Sequence, residues 1–333
     1  MNNILNDRFR IIKKIGEGGM GSVWLAEDTL LDFRKVAIKL LTQKLLNDNN
    51  AINRLKKEAL VSLQLSHPNL SAIRAFEVHK NIPYIVMDYV EGETLSQYLL
   101  EHGKMSDFKA FEIFEQLASG VQHAHAKGII HRDIKPSNII ISTTGTPVLL
   151  DFGISDETRI ATGCNPQISG TLLYMSPEQL RGEPPHSSHD IYSLGATAFE
   201  CVEGHPPFYK GNIANQILFS DPPKLACNCW FCYQINFSIG RDLSLRPKIA
   251  TQIADGEKRR RAFIRWVLNK TESILETSIS TNQMAINRLE YVAETCLKEL
   301  TNNQSSKINL PYLLNGKHIE FTVTRDEVRK LHW

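Results

Sequence analysis

The sequence predicts an α+β protein of two lobes, a small β-rich one with a single helix and a larger, mostly helical one, followed by a small α/β appendage. Three observations predict this. Residues 9–90 are dense in short β-runs with one helical stretch among them. After Gly92 the apolar period becomes that of a helix. Beyond about Ser220 the pattern weakens, then resumes as a long helical stretch followed by two β-runs. A chain of 333 residues, 42% apolar and 22% charged, is long enough for two lobes and apolar enough to bury a core.

The elements follow in order. Residues 9–15 alternate and end in a glycine-rich turn. Residues 23–27 and 35–40 are strand candidates rich in β-branched side chains. Over 50–65, Ile52, Leu55, Ala59, Leu60 and Leu63 recur at helical spacing. Strand-like runs return at 72–78 and 84–89. Residues 95–101 and 107–127 read as helices, the second through Phe108, Phe111, Phe114, Leu117 and Val121. Short β-runs are expected at 138–142 and 148–150, and a buried helix at 190–204, stopped by Pro206-Pro207. Residues 221–246 show no clear period. Residues 257–302 look helical, and 306–325 look like two β-runs around Asn315-Gly316, a good hairpin turn.

Composition excludes several classes. A net charge of +2 gives no reason to expect nucleic acid or an anionic membrane as partner. The basic run Lys258-Arg259-Arg260-Arg261 reads first as a solvated helix face. No apolar stretch is long enough to span a bilayer, and the N-terminus lacks a signal layout, so a cytoplasmic protein without its own anchor is expected. The scattered cysteines form no disulfide framework and fit a reducing compartment. Cys227, Cys229 and Cys232 have spacings that could hold a metal, but no fourth ligand is evident, and a packed cluster is the favoured reading.

Gly16-Glu17-Gly18-Gly19-Met20-Gly21, followed by Val23, lets backbone fold closely over phosphates without side chains in the way. Alone the pattern also fits a dinucleotide site, but there a helix must follow, and here a second strand does. Lys39, in Val36-Ala37-Ile38-Lys39, can reach phosphates from its strand; alone it would read as an exposed strand lysine. Glu58, at the edge of the buried face of the first helix, is its candidate partner or else a surface glutamate. In His131-Arg132-Asp133-Ile134-Lys135-Pro136-Ser137-Asn138, Asp133 can orient a hydroxyl, Lys135 can neutralise a phosphate and Asn138 can offer an amide oxygen to Mg²⁺. Asp151, in Asp151-Phe152-Gly153, can hold Mg²⁺ as well.

These motifs, in this order and spacing, resemble the eukaryotic-type protein kinase superfamily. Lys135, two residues after Asp133, and Gly170-Thr171 followed by Tyr174-Met175-Ser176-Pro177-Glu178 resemble its serine/threonine class. The wording Gly-Glu-Gly-Gly-Met-Gly and Asp190-Ile191-Tyr192-Ser193-Leu194-Gly195 resembles its bacterial branch. The resemblance implies ATP and Mg²⁺ as cofactors and protein Ser/Thr hydroxyls as acceptors. It implies that Thr171 bonds Asp133 and Lys135, and that Asp190 braces the catalytic loop. Val23 and Ala37 would roof the adenine, Ile140 would floor it, Met87 would be the gatekeeper and Asp88-Tyr89-Val90 the hinge. Gly16, Gly18 and Gly21 would cover the phosphates. Arg132 implies activation by a phosphate on 154–169, where Ser155, Thr158, Thr162 and Ser169 are candidates and the sequence selects none.

The expected kinase domain is 1–250, with a small lobe at about 9–90 and a large lobe at about 91–250, of which 221–250 is atypical. Arg246 is the expected partner of Glu178, but the stretch before it is short and unusual in composition. The appendage, 251–333, resembles in its last part a fragment of the seventy-kilodalton heat-shock chaperone ATPase, through Arg288-Leu289-Glu290, Ile308-Asn309-Leu310-Pro311-Tyr312-Leu313 and His318-Ile319-Glu320-Phe321. The phosphate loops of that family are absent and Leu297 stands where its adenine-contacting lysine would be, so no second ATPase is expected. Glu294 and Thr301 could match the neighbouring adenine contacts. A docking or regulatory appendage, with its own partner, and a gene-fusion or frameshift remnant are both open. The leading function is an active serine/threonine kinase that also phosphorylates itself. The alternative is a non-catalytic nucleotide-binding scaffold or a truncated remnant with impaired activity.

Overall fold

The computed structural model describes residues 4–18, 21–41, 52–53, 56, 59–60, 62–150, 170–225, 230–279, 282–314 and 316–331. The small lobe is one antiparallel sheet. A two-residue β1 (Ile4–Leu5) precedes β2 (Phe9–Gly18), β3 (Gly21–Asp28), β4 (Arg34–Leu41), β5 (Ile73–His79) and β6 (Ile82–Asp88), in the order β1-β2-β3-β4-β6-β5. Directly paired residues of an antiparallel ladder share a face. The register Gly16↔Val23, Val23↔Lys39, Lys39↔Ile85 and Ala37↔Met87 therefore puts Val23, Ala37, Lys39, Ile85 and Met87 on one face. The opposite face buries Phe9, Ala26, Val36, Ile38, Tyr84 and Val86 as a separate core. Ala59, from the expected 50–65 helix, is buried with Ile73 and Ile85 on the Lys39 face.

The large lobe is built around one helix. After β7 (Gly92–Thr94), α1 (Leu95–His102) starts with a reciprocal Thr94–Gln97 capping box. Then α2 (Asp107–His125) starts on Ser106, whose side chain accepts from Lys109 N. The buried residues of α2 include Phe111, Phe114, Leu117, Ala118 and Val121, the stripe expected from the sequence. β8 (Ile139–Ser142) and β9 (Pro147–Leu149) pair with β7 in a three-stranded sheet. A short α3 (Pro177–Leu180) follows, then α4 (Ser187–Glu203), ended by Gly204 in the left-handed region (φ 87°), α5 (Ile213–Phe219) and α6 (Trp230–Ser238).

The segment without a readable period thus contains a helix. Phe231, Cys232 and Ile235 of α6 join α2, α4 and the 250–254 turn in one core. The 257–302 stretch is two helices, α7 (Gly256–Leu275) and α8 (Gln283–Asn302), the second capped by Asn282. β10 (Ser305–Leu314) and β11 (Lys317–Thr324) form the expected hairpin, with a bulge between Leu310 and Leu314, and α9 (Arg325–Arg329) follows. Asn315 of the expected turn lies outside the described residues. These last elements surround a second core, which Phe108 of α2 enters from the large lobe. Among the described residues no helix is long and apolar enough to cross a membrane.

Candidate active site

The 131–138 loop links α2 to β8 and is held from three sides. From α4, the buried Asp190 carboxylate accepts from His131 N (2.8 Å), Arg132 N (2.7 Å) and His125 Nε2 (2.8 Å). Burial alone would raise this carboxyl, but the hydrogen bond and charge of His125 and the backbone bond from Arg132 hold it below the usual range. From the strand side, His131 Nε2 donates to Leu150 O (2.7 Å) and Leu150 N donates to Asn138 O (2.8 Å). From α3, Gln179 Nε2 donates to Arg132 O (3.0 Å). Arg132 adopts φ 69°, unusual for a non-glycine residue, and this sharp bend is what the surrounding bonds keep in place.

Within this frame four functional side chains meet. Lys135 Nζ donates to Asp133 Oδ2 (2.9 Å) and to Thr171 Oγ1 (2.7 Å). Asn138 Nδ2 donates to Asp133 O (2.8 Å) and Oδ2 (3.1 Å). With its NH₂ group turned to Asp133, Asn138 is left with its amide oxygen for a hard cation. Asp133 is buried, and His131 Nδ1 accepts from its backbone N–H (3.1 Å).

Val23, Ala37, Lys39 and Met87 come together on the small-lobe sheet, and Lys39 is buried there, a placement for a lysine that meets an anion. Gly16 lies against Val23, whose Cβ would be 3.7 Å from a Cβ built on the glycine. Gly18 pairs with Gly21 at the end of the β2–β3 ladder. Asp88 and Val90 lie on the connection to the large lobe, where Asp88 N donates to Ala72 O (3.0 Å) and its carboxylate takes Arg74 Nε (2.8 Å). Ile140 pairs with Thr94 and Val148 in the three-stranded sheet. Glu58, Asp151, the candidate phosphosites on 154–169, and Cys227 and Cys229 lie outside the described residues. Cys232 is buried in the large-lobe core.

Two further positions belong to the site's support and were not singled out from the sequence. His125 closes the third bond to Asp190; its only signal is its place in the last turn of α2, just before His131. Glu200 of α4 accepts from Tyr174 Oη (2.5 Å), and Ser193 Oγ donates to Tyr174 O (2.8 Å), so α4 anchors the loop after Thr171. The Glu178–Arg246 pair is formed and buried, through Nη1–Oε2 (2.8 Å) and Nη2–Oε1 (3.2 Å). The short stretch before Arg246 therefore still closes the base of the lobe.

The protein kinase domain family matches residues 9–274. Among curated relatives, the probable serine/threonine-protein kinase PknB of Lactococcus lactis is 43% identical over 208 residues, 62% of this chain and 33% of that protein. The serine/threonine-protein kinase PrkC of Bacillus subtilis is 42% identical over 205 residues, 61% of this chain and 32% of that protein. The chain thus spans about a third of the length of these relatives. Among solved structures, the kinase domain of PknI from Mycobacterium tuberculosis superposes with a TM-score of 0.61 at 22% identity, over 78% of this chain and 98% of that one, a likeness of fold.

Proposed function

The chain belongs to the protein kinase domain family, and on that premise we propose that it is a serine/threonine kinase, transferring the γ-phosphoryl group of ATP to hydroxyls of protein substrates and of itself. The observation that carries this reading is the Asp133–Lys135–Thr171–Asn138 cluster, fixed by Asp190 and His125.

The residues fit Mg-ATP. The Val23, Ala37 and Met87 face suits a flat apolar ring, the buried Lys39 beside it suits a phosphate, and the Asn138 oxygen suits a cation. Gly16, Gly18 and Gly21 would cover the phosphates, Asp88 and Val90 would meet the adenine edge through backbone, Ile140 would lie below it, and Asn138 with Asp151 would hold the metal. When bound, Mg-ATP supplies the phosphoryl group and the metal's neutralising charge. The chain's own part is positioning. Asp133 accepts the hydrogen bond of the acceptor hydroxyl and orients its oxygen in line. Lys135, already on Asp133 and Thr171, places positive charge where the transferring group develops negative charge. Thr171 ties the substrate-docking loop to the same lysine.

The non-catalytic scaffold assumes an incomplete large lobe together with the chaperone-like tail; the buried Glu178–Arg246 pair supports the catalytic reading instead. A cytoplasmic site of action fits the scattered cysteines. We read 251–333 as a docking or regulatory appendage whose α8 and β10–β11 hairpin derive from a chaperone-ATPase-like segment, with α7 shared between it and the catalytic lobe. The test is direct. Purified full-length chain with Mg-ATP should incorporate label into itself or a generic basic protein, and Asp133→Asn should abolish this. Equal incorporation by both proteins would overturn the assignment.

A further inference from the structure

The loop that leaves the 50–65 segment is seated on the C-terminal half of α2 through two imidazoles. His67 Nδ1 accepts from the backbone N–H of Asn69 (3.2 Å), so Nε2 carries the ring proton, and it donates to Ser119 Oγ (3.2 Å). The His67 ring lies against that of His123, one turn beyond Ser119, with centroids 5.4 Å apart and planes at 39°. The rest of the loop follows α2 as well. Asn69 Nδ2 donates to Pro147 O (2.8 Å), Lys127 Nζ donates to Gln64 O, and Leu70 fills the space over Gly120, where a Cβ would lie 2.8 Å from Leu70 Cδ2.

The bond that His67 Nδ1 accepts from Asn69 requires the neutral ring, whereas the Nε2–H bond to Ser119 does not. A proton on Nδ1 would set two donors, the ring N–H and the Asn69 N–H, against each other. It would also place a charge beside a second imidazole, with the Lys127 ammonium at the start of the same loop. We propose that this seam is a proton-operated latch: with His67 neutral the loop is held on α2, and with His67 protonated it lifts and releases the end of the preceding helix. Among the described residues, the ionisable side chains on these elements are His67 in the loop, Asp107, Lys109, Glu112, Glu115, His123 and His125 on α2, and Lys127 just beyond it; β9 brings none. Burial first, and then the charge of His123, hold the His67 imidazole below its ordinary value of 6.5. A group whose folded value is depressed resists protonation while the loop is seated. The latch is therefore closed above pH 6.5 and opens as the pH falls below it through the lower folded value. Release matters because Ala59 packs on Ile85, directly across the ladder from Lys39.

Hydrogen exchange on the full chain tests this without any assay of activity. Between about pH 7.5 and about pH 5.5, after correction for intrinsic rates, protection of the Asn69 and Leu70 amides should fall several-fold relative to the amides of α4. In His67→Asn the side-chain oxygen can still accept the Asn69 N–H and nothing titrates, so protection should hold. In His123→Gln the loss should persist with its midpoint moved up toward the ordinary histidine value. Constant protection in wild type, or equal loss in His67→Asn, overturns the latch. Should His67→Asn fail to fold, an unmoved midpoint in His123→Gln overturns it alone. A chain with no kinase activity but this exchange pattern would sink the proposed function and leave the latch standing, and the converse result would do the opposite.

Discussion

The Arg246 guanidinium and the Glu178 carboxylate are nearly inaccessible to solvent, with side-chain exposures of 1% and 3%. Arg246 also donates to Gly240 O (2.6 Å) and lies 5.1 Å over the Tyr192 ring. Removing one partner leaves a buried charge without its counter-ion, so Arg246→Met should cost about 3–5 kcal/mol, read as a shift in urea midpoint. Replacing both, as in Glu178→Leu with Arg246→Met, should recover most of the loss. The pH dependence has a definite sign. Burial would raise the Glu178 carboxyl, but the bonds and charge of Arg246 hold it below 4.5. Its contribution is therefore complete above pH 4.5 and is lost as the pH falls through the lower folded value, so the gap between wild type and Arg246→Met should close in acid. Both residues were legible in the sequence, as were Asp133, Lys135, Asn138 and Thr171, because their motifs are local and their chemistry dictates residue type. His125 and Glu200 were not. Each acquires its role only when α2 and α4 bring it beside Asp190 or Tyr174, and a helical histidine or glutamate has no local mark of that.

Helix α2 was legible because it buries one stripe and starts on Ser106, and α4 because it is a continuous buried run through 189–199 that ends on the left-handed Gly204. Helix α6 was not, because apolar residues lie on more than one of its faces. Phe231, Cys232 and Ile235 enter the core while Tyr233 is exposed and stacks edge-on to Phe237 at 4.6 Å, so no period stands out. Its seat on α4 rests on Gly195. A Cβ there would lie 2.5 Å from Ser238 Cβ and 3.3 Å from Ile239 Cγ2. Within a helix, Gly→Ala ordinarily stabilises by about 0.5–1 kcal/mol. Here Gly195→Ala should instead destabilise by about 1–3 kcal/mol, because the contact lies beside backbone and α6 must move away as a body. A lower urea midpoint at unchanged slope is the expected result, and a higher midpoint would show that α6 is not fixed against α4.

At the scale of the molecule, two hydrophobic cores meet at the first turns of α2. The large-lobe core is centred on α2, and the second core is enclosed by α7, α8, the β10–β11 hairpin and α9. Phe108, in the first turn of α2, belongs to the second core, although Phe111, one turn on, belongs to the first. The buried Arg259 of α7 lies over both rings, 4.4 Å from Phe108 and 4.3 Å from Phe111, and the buried Arg325 approaches Phe108 at 5.5 Å. Such contacts are worth about 2 kcal/mol or more when desolvated, and a phenylalanine deleted from a core costs about 3–5 kcal/mol. The seam is therefore strong enough to make the second core unfold with the first, and weak enough for one substitution to separate them. With Trp24, Trp230 and Trp333 changed to Phe, Trp266 of α7, which meets Phe321 of β11 edge-on at 6.5 Å, reports the second core alone. Its fluorescence should change together with far-ultraviolet circular dichroism in the otherwise native chain, as two-state unfolding requires. In Phe108→Ala the fluorescence transition should come first, at lower urea, because the second core loses a wall while the first keeps Phe111 and Phe114. Coincident transitions in that variant would mean that the α2–α8 packing couples the cores without Phe108.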